Sequence, residues 1–374
     1  MNVPFYRHAV SPDWASTVAD VIATPFLTSG AVGRRVEATM AEFFGVPHVK
    51  LTNSWTNGCV ATLLALDIGP GDEVIVPAMT FVACANVVTL VGATPVFADV
   101  DPNTLLVTPD SVAAAVTPAT KAVMPVHLYG QVLDVRALRQ RIGDLTIIED
   151  AAHAFEATFD GDRPGTHGDC AIFSFYATKN VTCGEGGAVI TRSADLAERI
   201  QQTVLHGMSA GAADRFKQGQ YRHWDVARLG TKANLPDLLA ALLEPQLPLV
   251  DAQRARRQAV HERYVAGLTG IDGVRWPTLH DAAVSAHHLF PIAVAPARRD
   301  DLLAHLGTHG VGATVNYNPV PLTTLYRERF GLTGADFPVA TEWGHGTVSL
   351  PLYPDLPHDE QQYVIDSVRR FFDA

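Results

Sequence analysis

The sequence predicts an α/β fold: a large domain with a mostly parallel, doubly wound sheet, then a smaller C-terminal α/β domain. Three observations predict it. Short β-rich runs alternate with helical patterns from about residue 45 to 200. The 374 residues are 47% hydrophobic, enough for a sizeable core. Around Pro245 and Pro248 the pattern changes into a long, arginine-rich helix that reads as the bridge to a second domain, so the expected division is 1–246 and 247–374.

Taken in order, the first helix is marked by Val36, Met40, Phe43 and Phe44, one apolar stripe preceded by Thr28-Ser29-Gly30 as a start signal. Val74–Pro77, Pro95–Val100, Ala122–His127 and Thr146–Asp150 read as strands, followed by Ile172–Tyr176 and Ala188–Thr191. Between the first strands lie crossover helices at Asn57–Leu66, Val82–Val91, Pro109–Val116 and Val135–Ile142. This alternation implies parallel strands with ligands at their carboxyl ends, and Asp150 and Lys179 both fall just beyond such ends. The bridging helix runs from about Asp251 to Leu268. The second domain is expected to hold a strand at His288–Val294, a helix at Asp300–His309, and a closing helix on which Val364, Ile365, Val368, Phe371 and Phe372 share a face.

A formal net charge of −11 argues against a nucleic-acid or anionic-membrane partner. The longest apolar runs are broken well before membrane-spanning length, and Met-Asn-Val-Pro-Phe-Tyr-Arg-His is not a signal peptide. Cys59, Cys84, Cys170 and Cys183 have no Cys-x-x-Cys spacing, so free thiols in the cytoplasm are expected, without disulfides or zinc.

The chemistry concentrates around one amine. The chain has five lysines, Lys50, Lys121, Lys179, Lys217 and Lys232, and most basic charge is arginine, whose guanidinium cannot serve as a nucleophile. Lys179 stands between two apolar strand-like runs and just before the glycine-rich turn Gly184-Glu-Gly-Gly187. Asp150 follows a β-branched strand. Alone it reads equally well as a helix cap. With Lys179, and with Asn57-Gly58-Cys59 at the entry to an apolar helix, it describes the parts of a pyridoxal phosphate (PLP) site: an amine for the Schiff base, a carboxylate for the pyridine nitrogen, and helix N–H groups for the phosphate.

These residues sit in a sequence that resembles the DegT/DnrJ/EryC1/StrS sugar aminotransferases from Leu27-Thr-Ser-Gly30 to Ser349-Leu-Pro-Leu-Tyr-Pro354. The motifs are Gly69-Pro-Gly-Asp-Glu-Val-Ile-Val-Pro77, Gly92-Ala-Thr-Pro-Val-Phe97, Pro125-Val-His-Leu-Tyr-Gly-Gln131, Glu149-Asp-Ala-Ala152, Phe173-Ser-Phe-Tyr176 and Gly184-Glu-Gly-Gly187. The resemblance implies the PLP-dependent transferase fold of type I. It makes Lys179 the Schiff-base lysine and Asp150 the pyridine-nitrogen partner. Ser174 becomes a phosphate ligand, and Phe81 the ring that stacks on the cofactor, although a lone Phe is more often ordinary core. Asn234 would reach the phosphate of a neighbouring subunit, which implies a homodimer with shared active sites.

Several positions depart from the family's commonest pattern. His153 stands where glutamine is frequent beside the cofactor oxygen. Cys59 is read at the position of the usual threonine in the phosphate loop, leaving that contact to backbone N–H groups or to Thr56 and Asn57. Asn316 and Pro321 stand where many members have histidines. The resemblance implies transfer of an amino group from an amino acid, glutamate, to a keto sugar through PLP and its pyridoxamine form (PMP). The acceptor is expected to be a nucleotide-linked 4-keto hexose, because residues 173–187 look closest to members that aminate C4. A 3-keto sugar or an aminocyclitol ketone is the alternative acceptor. A PLP-dependent sugar dehydratase and a non-catalytic PLP-binding regulator are the alternatives of another class. Arg222 and Arg228 are candidate substrate contacts, though surface charge is the plainer reading of each.

Overall fold

The structure is a computed structural model that describes residues 1–209, 216–217, 220–221 and 223–373, with only the backbone at 216, 217, 220 and 221. Two helices, α1 (Ala15–Ile22) and α2 (Ala31–Phe44), precede the sheet, and α2 starts directly after Gly30 as its stripe predicts. The stripe residues Val36, Met40 and Phe44 are buried. Strand β1 (His48–Thr52) leads into α3 (Trp55–Ala65), β2 (Glu73–Pro77), α4 (Ala83–Leu90), β3 (Thr94–Ala98), α5 (Pro109–Ala115), β4 (Thr120–Val123), α6 (Val135–Ile142) and β5 (Thr146–Asp150). Next come a two-residue strand β6 (Thr158–Phe159), then β7 (Cys170–Ser174), β8 (Gly187–Thr191) and α7 (Ala194–Thr203).

Seven of these strands form one sheet in the order β1-β8-β7-β5-β4-β2-β3. Strands β2, β3, β4, β5 and β7 pair in parallel. Strand β8 runs antiparallel to both β7 and β1 and lies between them, leaving β1 at the sheet's edge. The all-buried pattern of β8, and the nearly continuous burial of β2, β5 and β7, explains why they read as apolar runs rather than as alternating ones. Two apolar clusters hold the sheet between layers, one with α3 and α4, the other with α2 and a later helix, α8 (Asp237–Leu243).

Where strand limits differ from expectation, the cause is local. Strand β4 ends at Val123 rather than His127 because Pro125 has no N–H to donate, although its carbonyl still accepts the Asp150 N–H at 2.9 Å. Strand β7 ends at Ser174 rather than Tyr176, and Phe175 N–H turns to the Gly186 carbonyl at 2.8 Å.

The chain continues through a two-residue ribbon, β9 (Phe216–Lys217) with β10 (Gln220–Tyr221), to α8 (Asp237–Leu243) and the long α9 (Val250–Leu268). Strand β11 (Ala283–Val284) pairs with β6, and β12 (Phe290–Ala293) pairs antiparallel with β13 (Thr347–Leu350). Helices α10 (Pro296–Thr308), α11 (Thr324–Phe330), α12 (Pro338–Gly346) and α13 (His358–Asp373) complete the C-terminal part. Its core joins Val260, Tyr264, Phe290, Ile292, Leu302, Val348, Val364 and Val368, and it takes in Val3 from the start of the chain. Val3 lies beside Val311, giving its N–H to Gly310 and accepting that of Gly312, both at 2.8 Å. No described helix is long and apolar enough to cross a membrane. All four cysteines are free thiols and buried.

Candidate active site

The carboxyl ends of the parallel strands open onto a cavity of about 430 Å³. Ser174 from the end of β7, Asp150 from the end of β5, and Thr80 and Phe81 from the turn after β2 line it together. Lys179 lines it from the loop beyond β7, where its N–H is fixed to the Tyr176 carbonyl at 2.8 Å. The sequence therefore brings its amine and its carboxylate to one place, from two hydrogen-bonded strands.

Electrostatics tune both groups. Burial pushes the Lys179 ammonium down to about 8, and the neighbouring Asp150 and, less strongly, Cys84 oppose that shift. Burial also pushes the Asp150 carboxyl above the usual carboxylate range. The Ala152 N–H, the Cys84 thiol, Lys179 and His127 pull it back. Asp150 is only 5% exposed. Its Oδ1 accepts the Ala152 N–H at 3.0 Å and its Oδ2 accepts the Cys84 thiol at 3.1 Å. Behind it, the buried His127 and Glu149 side chains pair at 2.8 Å, and Glu149 also accepts the N–H groups of Gly165 and Gly168.

Phe81 is 54% exposed and its ring faces Tyr317 across 5.7 Å, so it is a cavity wall and not core. His153 is buried, and its Nδ1 accepts the Tyr129 N–H at 3.2 Å. Burial together with Lys179 and His288 holds this imidazole well below its ordinary range, so the ring is neutral. Its single proton then sits on Nε2, 3.4 Å from the Tyr317 hydroxyl.

The start of α3 meets the cavity one turn before the residues expected to cradle the phosphate. Ser54 caps the helix by accepting the Asn57 N–H at 3.0 Å, and the Gly58 N–H is spent on the Ser54 carbonyl at 3.0 Å. Cys59 is wholly buried in the sheet core, and a Cβ at Gly58 would come within 2.8 Å of Thr52. None of Asn57, Gly58 and Cys59 lines the cavity. Ser54, Trp55 and Thr56 do. The signal was present, since a serine three residues before Asn57 and ahead of an apolar run marks a helix N-cap.

Asn234 is not brought to this cavity within its own chain. It lies beside the end of β1, where its amide donates to the Ser29 hydroxyl at 2.6 Å and accepts from the Lys232 ammonium. Arg228 does not line the cavity either, and Arg222 lies outside the described residues. The cavity includes residues that sequence reasoning left out, among them Cys84, Tyr176, Thr178 and Glu185. Asn316, already marked in the sequence as standing where many members have a histidine, also lines it with Tyr317 from a loop of the C-terminal part; the Tyr129 hydroxyl holds that loop through the Asn316 carbonyl.

The lysine loop is braced from outside. Asn180 donates to Glu156 and to the Ala286 carbonyl, both at 3.0 Å, and its Oδ1 meets His288 Nδ1 at 3.0 Å. Glu156 pairs with Arg257 of α9, and both are buried. The bridging helix is thus tied to the residue next to Lys179.

An amine, a buried carboxylate, an exposed aromatic ring and a helix N-terminus around one cavity fit the reactive, nitrogen, π-face and phosphate ends of PLP. The profile of the DegT/DnrJ/EryC1/StrS aminotransferase family matches residues 10–369. The spore coat polysaccharide biosynthesis protein SpsC of Bacillus subtilis is 38% identical over 375 residues, covering 98% of this chain and 96% of SpsC. DesV of S. venezuelae is 32% identical with a TM-score of 0.91, covering 100% of this chain and 99% of DesV. Spr1654 of Streptococcus pneumoniae, solved in its PLP form, has a TM-score of 0.92 at 28% identity, covering 100% of this chain and 99% of that one; it is also solved in a PMP form. The chain belongs to the DegT/DnrJ/EryC1/StrS aminotransferase family and is a PLP-dependent sugar aminotransferase.

Proposed function

We propose that this enzyme transfers the amino group of L-glutamate to a nucleotide-linked 4-keto hexose in amino-sugar biosynthesis, as a cytoplasmic homodimer with shared active sites. The observation that carries this reading is the meeting of the Lys179 amine and the Asp150 carboxylate in one cavity. The likeness of residues 173–187 to members that aminate C4 supports the acceptor. The SpsC relative, named for polysaccharide biosynthesis, supports the setting.

Bound PLP supplies an electron-accepting ring that stabilises negative charge on the carbon losing its proton. Lys179 would hold the cofactor covalently, and once freed its neutral Nζ would take the proton from the donor α-carbon and, in the second half, return one to the sugar carbon. Asp150 would pair with the ring nitrogen and favour its protonated form, whose positive charge would in turn favour the ionised carboxylate. The N–H groups of Trp55 and Thr56 and the Ser174 hydroxyl would hold the phosphate, with Asn234 serving the partner subunit's site. Phe81 would cover the ring, and the neutral His153 would offer its Nε2–H to the cofactor without adding charge.

The test incubates the PLP-loaded enzyme with glutamate and a panel of nucleotide keto sugars under mass detection. The expected products are 2-oxoglutarate and a 4-amino sugar, and borohydride should fix the cofactor to the peptide containing Lys179. An amine on C3 or on a cyclitol would overturn the acceptor. No amine from any donor would overturn transamination.

A further inference from the structure

Asp150 is held by a group that the proposed cycle does not use. Cys84 is the second residue of α4, 1% exposed, and reaches the end of β5 from a different βα unit. Its Sγ lies 3.1 Å from Asp150 Oδ2. A carboxylate oxygen only accepts, so the thiol is the donor. Thr80 Oγ1 lies 3.4 Å from the same sulfur. With the one thiol proton committed to Asp150, the Thr80 hydroxyl donates to sulfur. Thr80, Cys84 and Asp150 all line the cavity, and all three are buried.

We propose that Cys84 is a positioning residue for the reaction: its S–H, itself bonded by Thr80, orients the Asp150 carboxylate and keeps it ionised beside the cofactor nitrogen. The inference rests on the reading of Asp150 as the ring-nitrogen partner. The groups facing Asp150 are Cys59 from α3, Cys84 from α4, His127 after β4, Lys179, and Tyr317 from the C-terminal part. Of these, Cys84 makes a direct side-chain hydrogen bond to it, and the Ala152 N–H takes the other oxygen. Burial raises the carboxyl and the thiol counters it. Removing the thiol therefore raises the carboxyl further, and the acid limb of the pH profile moves to higher pH. A serine in its place keeps a donor at the same position.

Two readouts test this. In the cofactor-free protein the infrared S–H stretch lost in Cys84→Ala identifies the Cys84 band. It should lie below the bands of the buried Cys59 and Cys170, and Asp150→Asn should move it up. In the PLP-loaded enzyme, Cys84→Ala should shift the acid limb of kcat/KM, and the matching titration of the bound cofactor's absorbance, upward by about one unit. Cys84→Ser should bring both back to the wild-type position or below it. An unshifted S–H band in the wild type, or Cys84→Ala and Cys84→Ser profiles that coincide, would overturn the proposal. Asp150→Asn separates the two readings: if it leaves proton transfer intact, the role of Asp150 itself falls, whereas its loss with an unmoved Cys84→Ala profile sinks only the role of Cys84.

Discussion

At the residue scale, the decisive adjustment is to Lys179. An ordinary lysine titrates near about 10.4 and would be almost wholly charged at neutral pH. Burial brings Lys179 to about 8. A base with that value is neutral in roughly one molecule in ten at pH 7 and in half at pH 8. The proton-transfer step should therefore rise through pH 8 and level above it, measured by stopped-flow absorbance after mixing with donor. Lys179→Ala should slow this step by about 10²–10⁴-fold while cofactor and sugar still bind. Retained proton transfer in the variant would remove the lysine from its role. Lys50 and Lys121 show why scarcity alone was insufficient: they lie on β1 and β4 and do not line the cavity, and among the described residues Lys179 is the lysine that shares it with Asp150.

At the element scale, two distant motifs turn out to be one device. Asp237, at the start of α8, accepts the N–H groups of Gly30, Val32 and Gly33 at 2.9, 3.1 and 3.0 Å, and so caps α2 from across the fold. Anionic capping at a helix N-terminus satisfies orphan donors and complements the helix dipole. Any Cβ at Gly30 would fall 2.4 Å from Asp237 Oδ2, which accounts for glycine there. Asn234, three residues upstream, holds Ser29 of the same turn. Asp237→Ala should cost about 2 kcal/mol, read by chemical denaturation, because one buried and two part-buried donors lose their acceptor. Asp195→Ala, on the exposed first turn of α7, is the control and should change stability by no more than about 0.5 kcal/mol. Equal losses in the two variants would contradict the capping account.

At the scale of the whole molecule, exposed apolar side chains lie on the segments that carry Ser29 and Asn234. Phe26, Leu27, Trp224, Val226 and Leu229 are all exposed. The proposed shared-site dimer would cover such a surface and let Asn234 of one subunit complete the other's phosphate site. Mixing Lys179→Ala with Asn234→Asp subunits should then restore activity that neither variant has alone. Half the dimers are mixed, and each has one site with both residues intact, so recovery should approach about a quarter of wild type. No recovery on subunit exchange, with dimers confirmed by sedimentation, would argue that each site is built within one chain.

Much of the sheet was legible in the sequence because β2, β5, β7 and β8 are nearly continuous buried apolar runs set apart by helix-length segments; Thr146–Asp150 and Val135–Ile142 appear within the limits their patterns mark. Lys179, Asp150 and Ser174 were legible for a related reason, since each sits in or just after a strand ending at the ligand face. The residues expected to cradle the phosphate lie one turn past the cavity because polar residues at a helix start look alike until the cap is seen. What sequence alone determined is therefore the alternation of β2–β5, β7 and β8 with the crossover helices α3–α6, and the amine and carboxylate that meet in the cavity. Only the tertiary structure decided that Cys84 bonds Asp150, that Tyr317 faces Phe81, and that Asp237 caps α2. The physical reason is distance along the chain: these contacts join residues 66 to 236 positions apart, and no periodicity of 2 or 3.6 residues carries information over such separations.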